Sequence, residues 1–154
     1  MKFHQKAIAN KLELAISKVL CLNNIKASNS ISNGIDIYIK DLDLYIEVKS
    51  SFRYCKNNRK YDKQKFRFSS YSFKANELLG CQEFYIFIEK VNIINDFHYI
   101  KKLIIYIVKT SILKEYILSK SKNLSNRIQI SINVIKKLPK YSINEFINLI
   151  KRYQ

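Results

Sequence analysis

The chain has 154 residues, 47% of them apolar, with only two Gly and one Pro. That balance excludes a disordered, collagen-like or linker-rich chain and supplies enough apolar surface for one domain, residues 1–154, with a core of its own. Twenty-eight Lys and Arg against twelve Asp and Glu leave a formal charge of +16, a surface that attracts polyanions, nucleic acid being the commonest. An AT-rich genome also yields much Lys, Asn, Ile and Tyr, but such drift does not hold Asp and Glu down.

Residues 5–22 show helical periodicity, with Ile8, Leu12, Ala15, Ile16, Val19 and Leu20 on one apolar stripe and Asn23-Asn24 as its stop. Residues 28–34 are polar and carry turn chemistry. Two alternating segments follow, roughly 35–40 and 43–49, then a basic excursion over 50–64 and a short alternating strand at 65–69. Ser70 or Ser72 is placed to cap a helix reaching Leu79, with Gly80 ending it. Glu83 to Glu89 and Leu103 to Lys109 are aromatic and β-branched, hence strands joined by a loop. Thr110 or Ser111 starts a helix through Leu118, and Arg127 to Val134 alternates as an edge strand. Ser142 and Glu145 form a capping box opening a last helix with Phe146, Ile147 and Ile150 inward. The order predicts a mixed α/β sandwich around a central sheet.

Cys21, Cys55 and Cys81 lie far apart and match no metal-ligand spacing, as expected of reduced thiols. The first residues lack the apolar core of a signal peptide, and the longest apolar run, Leu103 to Val108, is too short to span a bilayer. An intracellular, cytoplasmic protein with no membrane association is expected.

The chemistry concentrates in Gly34-Ile35-Asp36-Ile37-Tyr38-Ile39 and Tyr45-Ile46-Glu47-Val48-Lys49. A hairpin reversing at residues 40–43 sets Ile39 opposite Leu44, Tyr38 opposite Tyr45 and Asp36 opposite Glu47. Side chains alternate across a strand, so Asp36, Tyr38, Tyr45, Glu47 and Lys49 share one face, and Ile35, Ile37, Ile39, Leu44, Ile46 and Val48 the other. Two carboxylates directly opposite one another have Cβ atoms about 5 Å apart and destabilise a sheet unless a positive charge intervenes. A divalent cation resolves the conflict, and Mg²⁺ takes one or two carboxylates plus waters and phosphate oxygens. Lys49 points the same way, to orient or deprotonate a water or to stabilise charge on a phosphate. A solvated outer face neutralised by Lys49 is the plainer description. Three things weigh against it: the unbroken Ile-rich strand, the two tyrosines, and the basic segment beyond Lys49.

Gly34-Ile35-Asp36 with Glu47-Val48-Lys49, preceded by one helix, resembles the PD-(D/E)XK nucleases, with Gly34-Ile35 where the family name carries Pro. The resemblance implies a restriction-endonuclease-like mixed β-sheet flanked by helices. It implies Mg²⁺, with Mn²⁺ substituting, held by Asp36 and Glu47, and Lys49 assisting phosphodiester hydrolysis. Family members often place a Glu on the preceding helix, which implies the same of Glu13, and Gln64 stands where some relatives carry a Gln. Residues 49–74 independently hold nine Lys or Arg against the single acid Asp62. Arg53, Arg59, Lys60, Lys63, Lys65 and Arg67 are expected to hold a DNA backbone. The expectation is a metal-dependent DNA endonuclease, of junction-resolving, restriction or homing type, acting as a homodimer because one site cuts one strand. A non-catalytic nucleic-acid-binding module is the alternative.

Overall fold

The computed structural model describes residues 2–29, 35–51, 70–74, 78, 80–90, 103–120 and 127–153. Helix α1 (Lys2–Leu22) is followed by β1 (Ala27–Asn29), β2 (Ile37–Ile39), a 3₁₀ turn (Lys40–Leu42) and β3 (Leu44–Ser51). Then come β4 (Ser70–Lys74), β5 (Phe84–Lys90), β6 (Leu103–Lys109), α2 (Thr110–Lys120), β7 (Arg127–Ser131), α3 (Ile132–Lys137) and α4 (Ile143–Tyr153). Strands β1-β2-β3-β5-β6 make one sheet and β4-β7 a second. The coarse expectation, mixed α/β with helices against a central mixed sheet, is met.

Local chemistry sets each boundary near the site. Helix α1 ends where Asn24 enters the left-handed region at φ 62°. The Ile25 N–H donates to the Leu20 carbonyl at 3.0 Å, and the Asn24 N–H to Cys21 at 3.0 Å. Leu20 and Ile25 are both fully buried, so this end carries the hydrophobic contact that accompanies such a stop. Its buried stripe is Leu12, Ile16 and Leu20; Ala15 and Val19, expected on the same side, face solvent. The β2–β3 turn closes on Asp43 at φ 49°, whose N–H donates to the Lys40 carbonyl at 3.2 Å.

Strand β5 is the central element. Phe84, Ile86 and Ile88 face a core built with α1, β2, β3 and α4, where Phe146, Ile147 and Ile150 sit. Tyr85 and Phe87 face a second core with Tyr71 and Phe73 of β4, Ile130 of β7, Leu113 and Ile117 of α2, and Ile132 and Ile135 of α3. An unbroken apolar run suits a strand covered on both faces. Strand β3 runs parallel to β5, from Ile46 opposite Phe84 to Ser51 opposite Glu89, and antiparallel to β2. Parallel neighbours need a long crossover, and residues 52–83 supply it. The outer edge of β6 is partly closed by Tyr141, which exchanges two backbone hydrogen bonds with Ile107 at 2.8 and 3.0 Å. Glu89, buried at the end of β5, meets the Tyr106 hydroxyl at 3.3 Å and Lys136 Nζ at 3.6 Å, which ties α3 to the sheet.

Several expectations change. Residues 70–74 are a strand, not the start of a helix: Tyr71 and Phe73 are buried in alternation and the segment pairs with β7, which outweighs the serine capping signal. Strand β7 stops at Ser131 and belongs to the small sheet, not to an edge of the central one. Ile132 and Ile135, three apart and both buried, turn the end of that alternating run into α3. The polar residues 27–29 form β1, because β2 offers an open edge and backbone pairing needs no particular side chain. The expected strand at 65–69 and the loop between β5 and β6 lie outside the described residues. No helix among the described residues is long and apolar enough to cross a membrane.

Helix α4 opens as the sequence indicates: the Glu145 N–H donates to Ser142 Oγ at 3.1 Å and the Ser142 N–H to Glu145 Oε1 at 3.3 Å. Ser142→Ala is expected to lower unfolding free energy by about 1 kcal/mol. In a urea titration the midpoint should fall with the slope unchanged; an unmoved midpoint would show that the box adds nothing to α4.

Candidate active site

The β2–β3 register is the expected one, with Ile39 opposite Leu44 and Tyr38 opposite Tyr45. Just before β2 the register breaks off: the Asp36 N–H donates at 3.1 Å to the carbonyl of Ile46, the residue already paired with Ile37. A side-chain hydrogen bond still brings Asp36 and Glu47 together at the end of the hairpin. Ile37, Ile39, Leu44, Ile46 and Val48 are buried on the opposite face, so the carboxylates cannot move without withdrawing that apolar row from the core.

Asp36 is the best-anchored member. Its Oδ2 accepts the Val48 N–H at 2.7 Å, a charge-assisted bond across the strand pair. Its carbonyl accepts from Asn29 Nδ2 at 3.4 Å, which ties β1 to the same corner. Burial raises the Asp36 pKa, against the opposing effects of the Val48 N–H, the Lys49 charge and a side-chain hydrogen bond with Glu47. Lys49 Nζ lies 3.6 Å from Glu47 Oε1, both side chains largely withdrawn from solvent. The same ammonium sits 5.4 Å from the centre of the Phe73 ring, within cation–π range. Helix α1 contributes Glu13, whose pKa is pushed up to about 7 by burial and then by the negative charge of Asp36.

The site thus gathers Glu13, Asp36, Glu47 and Lys49: three acidic groups and one ammonium in a partly buried corner. Two of the carboxyls hold their protons above the ordinary range because burial is not matched by positive charge. Asp36 and Glu47 offer hard oxygen donors on adjacent strands, with water and phosphate oxygens able to complete a shell, and this fits Mg²⁺ or Mn²⁺. Among the described residues no three His, Cys, Asp or Glu side chains converge closely enough to hold a metal ion on their own. A two-carboxylate site open to substrate does not need such a cluster.

Arg53, Arg59, Lys60, Lys63, Lys65 and Arg67, as well as Gln64, lie outside the described residues. Sequence reasoning missed Phe73 as the seat of Lys49, since residues 70–79 read as a helix. It also missed Asp43, which accepts the Tyr38 hydroxyl at 3.0 Å through Oδ1. The stacking of Tyr38 on Tyr45, at 4.8 Å between ring centres and 27° between planes, was implicit in the register.

Comparison with protein-family models, curated proteins and solved structures gave no match.

The acid cluster has a pH signature of its own. Unfolded, Glu13 titrates near 4.5, and folded at about 7, so in between the folded protein holds the extra proton. Its contribution to stability is full below the lower value and is lost as pH rises through the upper one. Glu13 is partly exposed, so solvent screening limits the loss to about 1 kcal/mol. With chelator present, Glu13→Gln is expected to raise Tm by roughly 2–4 °C at about pH 8 and to leave it unchanged at about pH 5. Equal shifts at both would remove the charge cluster as the cause.

Proposed function

We propose that this chain is a metal-dependent DNA endonuclease with a restriction-endonuclease-like fold, a member of the PD-(D/E)XK class. The observation that carries the reading is Asp36, just ahead of β2, hydrogen-bonded to Glu47 of β3, with Lys49 two residues on and held against Glu47 at 3.6 Å. Two features add support. The helix before the motif brings Glu13 into the field of Asp36. The mixed sheet β1-β2-β3-β5-β6, with α1 and α4 packed against it, is compatible with a mixed β-sheet flanked by helices.

On this reading Asp36 and Glu47 would hold Mg²⁺ or Mn²⁺. When bound, the metal supplies Lewis-acid polarisation of the phosphate and a more acidic water. The residues divide the remaining work. Asp36 has one carboxylate oxygen fixed by the Val48 N–H, which holds the group in place. Lys49 Nζ, restrained by Glu47 and Phe73, is placed to orient the attacking water or to offset charge on the phosphate. Water oxygen bonds to phosphorus, one P–O ester bond breaks, and the departing oxygen takes up a proton. Glu13, in the field of Asp36 and with its pKa pushed up to about 7, is the candidate to accept or return one. The +16 charge supports DNA as the partner. A homodimer would cut both strands, each protomer contributing one site.

The test is cleavage of plasmid and four-way-junction DNA with Mg²⁺ or Mn²⁺. Wild type is expected to cut, and Asp36→Ala and Lys49→Ala to lose about 100-fold or more, with DNA binding kept. Binding without cutting in either metal would overturn the catalytic reading in favour of a non-catalytic nucleic-acid-binding module. Cutting that survives Asp36→Ala would put the chemistry elsewhere.

A further inference from the structure

One feature beside the acid cluster takes no part in it. On the face of the sheet that carries Glu47, the next row is Ser28 on β1, Tyr38 on β2 and Tyr45 on β3, fixed by the pairings Ser28↔Tyr38 and Tyr38↔Tyr45. Rows two residues apart on one face are separated by roughly 7 Å along the strand. The two rings stack on each other and remain partly exposed. Among the described residues, neither joins either core.

The hydroxyl ends are already engaged. Tyr38 donates to Asp43 Oδ1 at 3.0 Å, and Asp43 is held by the left-handed turn that closes on Lys40. The same carboxylate is the main cause that raises both phenol pKa values, which keeps the pair protonated and neutral. What the pair offers a ligand is therefore ring surface rather than a hydrogen-bonding tip. One flank of Tyr38 is covered by Tyr45. The other borders Ser28, an exposed residue too short to cover an aromatic ring. Among the described residues, the outer face of Tyr38 is thus left open toward β1.

A flat apolar face next to a carboxylate pair suited to metal and phosphate calls for a ligand that is planar at one end and anionic at the other. A nucleotide unit is such a ligand. The nearby charge agrees: Lys26 and Lys40 flank the paired ends of β1 and β2 and are both exposed, while Lys49 stands on the acid-cluster side. Inside an intact duplex both faces of each base are already stacked on neighbours. Only an unpaired base can lie on a tyrosine.

We propose that the outer face of Tyr38, backed by Tyr45, receives an unpaired nucleobase, so that the substrate is single-stranded or locally melted DNA rather than continuous duplex. This rests on the nucleic-acid reading of the neighbouring site and narrows its substrate class. It does not depend on cutting. Tyr45 acts as a positioning residue, since it keeps the Tyr38 ring upright, and Asp43 limits rotation of both.

The experiment measures binding without cleavage, in chelator and at fixed salt. An oligonucleotide carrying 2-aminopurine, whose emission is quenched by stacking, is titrated as a single strand and as its duplex. Wild type is expected to quench the single-stranded probe on binding, and Tyr38→Phe to do the same. Tyr38→Leu should abolish the quench and weaken single-strand binding roughly tenfold or more, with duplex binding changed less than about twofold because phosphate contacts dominate there. No quench with wild type would overturn the proposal without any variant, and so would equal losses on both substrates. Thermal melts of Tyr38→Phe and Tyr38→Leu separate lost stacking from lost folding. The outcomes are independent of the nuclease reading. A chain that quenches but never cuts keeps the platform and loses the catalysis, and one that cuts duplex without quenching does the reverse.

Discussion

The pairing register of β2 and β3 is the constraint on which the site depends. Side chains on a strand alternate with a period of two, so a slip of one residue would turn Ile37, Ile39, Ile46 and Val48 to the outside and the charged row to the inside. Those four are buried in the core shared with α1 and α4. At about 25 cal/mol per Å² of apolar surface, exposing even two of them costs several kcal/mol, a large share of the stability of an ordinary domain. Asp36 and Glu47 are thus held together by groups that never touch them. The Val48 N–H bond to Asp36 adds a polar clamp at the same point.

Held there, the carboxyls are out of electrostatic balance. A lone surface Asp or Glu would ionise freely, whereas Asp36 and Glu13 are both pushed toward the protonated state, burial being the first cause in each case. Lys49 offsets only part of this. Sites that store such conflict are destabilising in themselves and persist because the surrounding core holds them in place. On the proposed reading, the same conflict would favour a hard cation in this corner.

The two cores have different tasks. The core under α1 and α4 fixes the hairpin and brings Glu13 to it. The core beyond β5 carries the small β4-β7 sheet, whose Phe73 packs on Tyr85 at 5.5 Å and Phe87 at 5.9 Å and lies beneath Lys49. Strand β5 joins the two, presenting Ile86 to one and Phe87 to the other. The acid corner therefore sits where both cores meet β3, and the tyrosine pair sits just beyond the reach of either. Among the described residues, that position leaves the Tyr38 hydroxyl donating to Asp43 and one face of its ring uncovered.

The sequence by itself determined the alternation of residues 36–49 and hence which side chains share a face. It also determined the strands at β5 and β6, the stop of α1 at Asn23-Asn24 and the capping box of α4. All of these follow from local periodicity or from contacts three or four residues apart, which a linear reading can see. Only the tertiary structure decided that Ser70 to Lys74 is a strand, that Ile132 begins a helix, and that the polar stretch at Ala27 pairs with β2. It alone placed Phe73 beneath Lys49, and it set Glu13, already marked by the family resemblance, in the field of Asp36. Those outcomes depend on partners distant in the chain: β4 is a strand because β7 lies next to it, and Glu13 is strained because burial and Asp36 act on it together. Periodicity tells a residue which way to face, but the neighbour it meets there is chosen by the packing of the whole chain.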